Sequence, residues 1–189
     1  MKILIVDNHD SFTFNLAQLL EQSGFYEIIV IKNDSKDYDA SVFDKIIFSP
    51  GPGVPSEEAG LMKNILEKYS GSKSILGICL GHQAIAEYYG AKLINLKKVF
   101  HGIKKSILIT DRNESLFKDL PEKIDGGLYH SWGVSEENFP ECLKVTAVSE
   151  DGIIMAFTHK NKDVKGLQFH PESIMTETGS IIIRNWLMH

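Results

Sequence analysis

The sequence predicts an α/β fold: an open mixed sheet, mostly parallel, flanked by helices and extended by a small antiparallel β portion. Three observations carry this expectation. Apolar runs of strand length alternate with helical apolar stripes through the first half, the pattern that builds a parallel sheet. A cysteine framed by glycines two positions away on each side directly follows one of those runs, as where a strand reverses sharply into a helix. After Gly90 the segments become short and β-like and are separated by turns, which points to antiparallel pairing.

Element by element, Lys2 to Val6 is a continuous apolar strand, and Phe12, Leu16, Leu19 and Leu20 form a helical stripe that ends at Gly24. Glu27 to Ile31 reads as the second strand and Lys45 to Phe48 as the third. The third runs into Ser49-Pro50-Gly51-Pro52-Gly53-Val54-Pro55, whose prolines lack the N–H that a helix or ladder needs. A helix is expected from near Ser56, a favourable N-cap followed by Glu57 and Glu58, where the helix dipole favours negative charge. Ser74-Ile75-Leu76 leads as a strand to Cys79, and a helix follows from about Gly81 to Tyr89. Further strands are expected at Ser106 to Thr110, Leu143 to Val148, Ile153 to Thr158 and Val164 to Phe169, with a closing helix from Gly179 to Leu187. At 189 residues without a linker-like stretch, residues 1–189 read as one domain.

Bulk properties narrow the function. With 43% hydrophobic and 24% charged residues, neither disorder nor a membrane span is indicated. The longest apolar runs are strand-sized, and the N-terminus enters a strand without a signal-peptide succession, so a cytoplasmic protein is expected. A net charge of −5 with no basic stripe argues against a nucleic-acid partner. Lys97, Lys98, Lys104 and Lys105 cluster around His101-Gly102 and read as a solvated face, with a docking surface as the alternative. Two cysteines are too few for a disulfide scaffold, and Cys142, with no elbow beside it, reads as structural. No metal-ligand cluster, phosphate loop or dinucleotide fingerprint is present, so neither a metal nor a cofactor is expected.

The chemistry concentrates at Gly77-Ile78-Cys79-Leu80-Gly81-His82-Gln83. A strand-to-helix elbow strains its turn residue, small flanking glycines leave room for the bend, and the helix N-terminus favours thiolate. Far downstream, Gly166-Leu167-Gln168-Phe169-His170-Pro171-Glu172 supplies a base and an orienter. Pro171 biases His170 toward extended backbone, where residues two apart point to one side, so Glu172 is expected to hold the imidazole. Cys79, His170 and Glu172 then read as nucleophile, general base and orienting carboxylate. Leu80 N–H, next after the nucleophile, suits an oxyanion donor, and Gly51 or Gly53 is the second, since Pro50 and Pro52 beside them cannot donate.

Over essentially its whole length the chain resembles the class I (triad) glutamine amidotransferases. The matching segments are Ser49 to Gly53, Gly77 to Gln83, Tyr129-His130-Ser131 and Gln168-Phe169-His170-Pro171-Glu172-Ser173. The resemblance implies hydrolysis of the L-glutamine side-chain amide through a Cys79 thioester, with Gly51 and Leu80 as the oxyanion hole. It further implies that Gln83, Ser131 and Trp132, with Gly51, Pro52 and Gly53, hold the glutamine. Asp7 to Leu16 and Val99-Phe100-His101-Gly102 look like the small subunits of anthranilate and aminodeoxychorismate synthases, which implies a chorismate-binding synthase partner contacted through Asp10 to Phe14 and His101-Gly102. His9, Leu128 and Trp132 depart from the usual Tyr, Arg and Leu of that subgroup. Rival readings are a stand-alone γ-glutamyl hydrolase or peptidase, the amidotransferase subunit of another synthase, and a non-enzymatic regulator or redox sensor. The intact His170-Pro171-Glu172 argues against the last.

Overall fold

The computed structural model describes residues 1–189 except Phe25, Asp37, Ala59 and 97–99. In chain order the elements are β1 (Lys2–Asp7), α1 (Thr13–Gln22), β2 (Glu27–Lys32), β3 (Lys45–Phe48), α2 (Pro55–Glu58), α3 (Met62–Tyr69), β4 (Ser74–Ile78), α4 (Leu80–Tyr88), β5 (Leu93–Asn95), β6 (Ile103–Ile109), β7 (Lys123–Leu128), β8 (Trp132–Val134), β9 (Leu143–Ser149), β10 (Ile154–His159), β11 (Val164–Leu167) and α5 (Gly179–Met188).

One large sheet has the order β2-β1-β3-β4-β11-β10-β9-β6-β7, and β5 pairs with β8 in a small antiparallel sheet. The pairs from β2 to β11 are parallel, whereas those from β11 to β7 are antiparallel. This is the mixed, largely parallel architecture that the alternation of apolar runs predicts. Residues on successive strand positions face opposite sides. Ile3, Ile5, Ile47, Leu76 and Ile78 therefore pack with Leu16 and Leu20 of α1 and Ile182, Ile183 and Trp186 of α5. Leu4, Val6, Ile46, Phe48 and Ile75 face the other way, against Met62, Ile65 and Leu66 of α3 and Ala84 and Ile85 of α4. Because both faces are covered, these strands lack polar alternation and read as continuous apolar runs.

Parallel pairing also fixes where function sits. The carboxyl ends of β1, β3, β4 and β11 lie at one edge, which gathers Asn8, the Ser49–Gly53 loop, Cys79 and the Gln168–His170 segment.

Several expectations need correction. Ser56 is not the cap; it lies inside α2, which opens with Pro55 at the first helical position, where a missing N–H does no harm. The helical region there is two pieces, α2 and α3. The strand expected from Ser106 begins at Ile103, and that expected to reach Phe169 leaves the ladder after Leu167. β5, β7 and β8 were not anticipated. Ahead of α1, the Asp10 carboxylate accepts from Phe12 N–H at 2.8 Å and tightens the turn before Thr13.

Of the lysine cluster, Lys97 and Lys98 lie outside the described residues, as does Val99. Lys104 is half-exposed and pairs with Asp125 and Glu177 at 3.0 and 2.8 Å, while Lys105 pairs with Asp151. Among the described residues no helix is long and apolar enough to cross a membrane.

Candidate active site

Cys79 occupies the sharp turn between β4 and α4 with φ 51° and ψ −99°, a backbone region that side-chain-bearing residues rarely adopt. The turn is held from both sides. Cys79 N–H donates to the Leu167 carbonyl at 2.8 Å, and the Cys79 carbonyl accepts from Gln83 N–H at 3.1 Å, opening α4. The flanking glycines serve space rather than torsion. A Cβ on Gly77 would stand 2.4 Å from Gly81 backbone atoms, and one on Gly81 would stand 2.5 Å from the Phe48 carbonyl oxygen.

His170 is fixed through its backbone. Its N–H donates to the Gly127 carbonyl at 3.0 Å, and its own carbonyl accepts from Thr176 Oγ1 at 2.6 Å. His170 Nδ1 meets Glu172 Oε1 at 2.7 Å, with the carboxylate side chain fully covered. The pairing is as expected, but its cause is different: Pro171 and Glu172 form a turn, closed by Ser173 N–H donating to the His170 carbonyl at 3.2 Å. Extended geometry holds at His170, which bridges Gly127, and ends there. The rings of Tyr129 and Phe12 pack against the imidazole at 4.7 and 5.6 Å and cover it.

Burial lowers the basicity of His170. The charge and hydrogen-bonding capacity of the adjacent Cys79 sulfur, followed by Glu172, outweigh that effect and hold the imidazole well above its ordinary value. Among the described residues Nε2 has no hydrogen-bond partner, so the link to sulfur is chiefly one of charge.

Cys79 opens into a cavity of ≈ 110 Å³ lined by Gly51, Pro52, Gly53, Leu80, Gln83, Tyr129, His130, Ser131 and Trp132. The expected glutamine-binding residues therefore surround one space. A Cβ on Gly51 would lie 2.6 Å from both Asn8 Cβ and Leu80 Cδ2, so the two expected oxyanion donors come from touching segments. Asn8 anchors that loop: its N–H donates to Ser49 Oγ at 2.8 Å and its Nδ2 to the Ser49 carbonyl at 2.7 Å. As the first residue of α4, Leu80 has an N–H with no intrahelical acceptor.

A second cleft of ≈ 380 Å³ reaches Cys79 and His170 from the side of His9, Asp10, Ser11, Phe12 and His101. Larger hollows lie beside Glu87 (≈ 410 Å³) and Arg112 (≈ 700 Å³), but neither brings a nucleophile and a base together. Of the three departures from the subgroup pattern, Trp132 lines the small cavity and His9 the second cleft, while Leu128 is wholly buried at the end of β7.

The model of the family "Glutamine amidotransferase class-I" matches residues 4–189. The chain belongs to the class I glutamine amidotransferases. It is thus an enzyme of the kind its motifs resemble. It is 44% identical over 98% of its length to "Anthranilate synthase component 2" of Pyropia yezoensis, covering 98% of that protein. It is 42% identical to "Aminodeoxychorismate synthase component 2" of Escherichia coli, covering 98% of each chain. Among solved structures, a "putative gmp synthase subunit a protein" from Thermoplasma acidophilum superimposes with a TM-score of 0.89 at 28% identity, over 100% of this chain and 92% of that one.

In this amidotransferase several residues at the site escaped sequence reasoning. Gln168 reaches the sulfur, its Nε2 3.7 Å from Cys79 Sγ; its place two residues before His170 was the available signal. Phe12 and Tyr129 were seen only as parts of motifs. Asp10 lies close enough for His170 and Glu172 to act on its carboxyl, and burial, then Glu172 and Asp7, raise its proton affinity against the opposing Phe12 N–H and His170. His82 and His130 are buried neutral. Burial pushes each down to about 3, reinforced at His82 by His130 and opposed there by the Gln168 amide, and reinforced at His130 by His170 and Lys105. Gly179 has a tight task, since a Cβ there would stand 1.8 Å from the Pro171 carbonyl oxygen.

Two outcomes follow from this packing. Gly179→Ala must displace the His170-Pro171-Glu172 turn, and is expected to lower glutaminase kcat at least about tenfold, by moving His170 relative to Cys79; unchanged turnover would show that the turn yields without moving His170. The lowered His82 value has a definite sign: above the unfolded value near 6.5 both states are neutral and nothing is contributed, whereas below it the unfolded chain takes up a proton that the native site refuses. Wild type should therefore lose about 1.4 kcal/mol per pH unit to this group between about pH 6 and pH 4. Urea unfolding of His82→Leu at those pH values should show a correspondingly flatter acid limb, and parallel limbs would sink the assignment.

Proposed function

We propose that this chain is the glutaminase subunit of a chorismate-aminating synthase, acting over residues 1–189 as one amidotransferase domain. The observation that carries the reading is the convergence at one sheet edge of a strained cysteine at a helix start, a histidine of raised basicity and a fully covered carboxylate at 2.7 Å from that histidine.

In the proposed mechanism the Cys79 thiolate, paired with the His170 imidazolium, attacks Cδ of glutamine. The carbonyl π pair moves to oxygen, and the oxyanion is held by the Leu80 and Gly51 N–H groups. His170 gives its proton to the amide nitrogen, the C–N bond breaks, and ammonia leaves a glutamyl thioester. A water then loses a proton to His170 and attacks the same carbon. The C–S bond breaks, glutamate departs, and the thiolate–imidazolium pair returns. Glu172 keeps the Nδ1 proton in place throughout, so that Nε2 faces the chemistry.

Ammonia released into water at neutral pH is mostly ammonium and no longer a nucleophile, so productive transfer requires a sealed route to an acceptor site. The names of the two relatives, each the second component of a synthase, support a partner component that carries the acceptor, here taken as a chorismate-binding component I. The second cleft supports a route leading away from the glutamine cavity, and the exposed Phe14, two residues beyond Phe12 of its lining, supports a covering partner. Of the proposed partner face, Asp10, Ser11, Phe12 and His101 line that cleft.

Cys79→Ser is expected to reduce glutamine-dependent product formation by roughly 10³-fold or more while ammonia-dependent synthesis by the partner persists, because the half-reactions use separate sites. Adding component I of an anthranilate or aminodeoxychorismate synthase to the wild-type chain should raise glutaminase turnover. Normal hydrolysis by Cys79→Ser would remove the nucleophile, and strong turnover of the isolated chain, unaltered by either partner, would favour a stand-alone γ-glutamyl hydrolase.

A further inference from the structure

Gln168 is wholly buried, yet neither the triad nor the oxyanion site uses it. Its backbone N–H donates to the Met155 carbonyl at 2.8 Å, anchoring it to β10, and its side chain lies between two groups of the active site. Gln168 Nε2 approaches Cys79 Sγ at 3.7 Å, while Gln168 Oε1 accepts from Gln83 Nε2 at 3.1 Å.

Which end of a carboxamide is nitrogen follows from the partners it meets. The Trp132 carbonyl can only accept, and it takes a hydrogen bond from Gln83 at 2.8 Å, so the Gln83 end facing it is the NH₂ group. The same NH₂ group reaches Gln168 and requires an acceptor there. Gln168 must then turn its oxygen to Gln83 and its nitrogen to the sulfur. A backbone carbonyl, which cannot rotate, thereby sets the orientation of an amide two links away.

We propose that Gln168 is a further catalytic residue of this glutaminase: its carboxamide donates to the Cys79 sulfur, holds that atom in the attacking position and favours thiolate, with Gln83 and the Trp132 carbonyl as positioning groups. The inference rests on Cys79 being the nucleophile. An amide N–H binds a charged acceptor more strongly than a neutral one, so this contact is worth more to thiolate than to thiol. His170 lies against the same sulfur, and His82 and His130 are buried neutral. Gln168 adds a donor that keeps its character at every pH.

The test uses the full chain on a Cys142→Ser background, so that iodoacetamide reports Cys79 alone. Gln168→Met keeps length and bulk without the donor, and Gln168→Glu puts a carboxylate in its place. At about pH 6, alkylation of Cys79 should be about tenfold slower in Gln168→Met and slower still in Gln168→Glu, with the Gln168→Met rate converging on the parent's near about pH 10, where thiols ionise regardless. Glutaminase kcat should fall in Gln168→Met by at least about tenfold with KM within about twofold of the parent, the pattern of a lost transition-state interaction.

A merely structural role would slow alkylation equally at all pH values, and that result, or a profile superimposed on the parent's, overturns the proposal. Should Gln168→Met not fold, Gln83→Leu releases the orientation of Gln168 and is expected to shift the alkylation profile the same way by a smaller factor; no shift there overturns it also. If Cys79→Ser loses turnover while the Gln168→Met profile is unshifted, only the role of Gln168 falls; if Cys79→Ser keeps turnover, the nucleophile itself is wrong.

Discussion

The backbone of Cys79, at φ 51°, is the constraint on which the site depends. A residue with a Cβ rests in that region only when its surroundings hold it there. β4 is buried along its whole length between β3 and β11, α4 docks directly onto the turn, and the Gly77–Gly81 approach leaves no slack. The strain is thus set against the packing of the sheet centre. In return the sulfur stands clear of the strand end, at a helix N-terminus, in a place that a relaxed turn would not present.

The electrostatics of the site follow from covering it. Phe12 and Tyr129 close over His170, and the Glu172 side chain is removed from water altogether. Burial alone would leave a neutral imidazole, as at His82 and His130. His170 differs because two acceptors of its protons, sulfur and carboxylate, are buried with it. Removing either partner would leave the remaining charge without compensation, and buried charge tolerates that poorly. The same reasoning explains why the turn that carries Glu172 is tied at several points, through Thr176, Ser173 and the close contact of Gly179 with Pro171.

Long apolar strands and the elbow were legible because each depends on local chemistry or on burial of both faces. β1, β3 and β4 each lie within a residue or two of where their apolar runs place them. β7 was not legible. It reads Lys-Ile-Asp-Gly-Gly-Leu, and its glycines are there for neighbours distant in sequence: a Cβ on Gly126 would strike Ile107 and Phe169, and one on Gly127 would strike Ser173. The strand exists because β6 pairs with it and His170 bridges it, which no local pattern announces. The short helix α2 was misread in the opposite way, from a capping residue that Pro55 displaced by one position.

By itself the sequence singled out Cys79, His170 and Glu172 as candidates for nucleophile, base and carboxylate, since a Gly-x-Cys-x-Gly elbow and a His-Pro-Glu segment state local geometry and chemistry in a few adjacent residues. It also determined that they would meet, because parallel strands deliver their carboxyl ends to one edge. Tertiary structure alone decided how His170 is held, by a turn rather than by extended chain, and which amide faces the sulfur. The physical reason is that hydrogen-bond orientation passes through space: the Trp132 carbonyl, Gln83 and Gln168 are far apart in the chain and acquire a direction only when β8, α4 and the end of β11 are packed together.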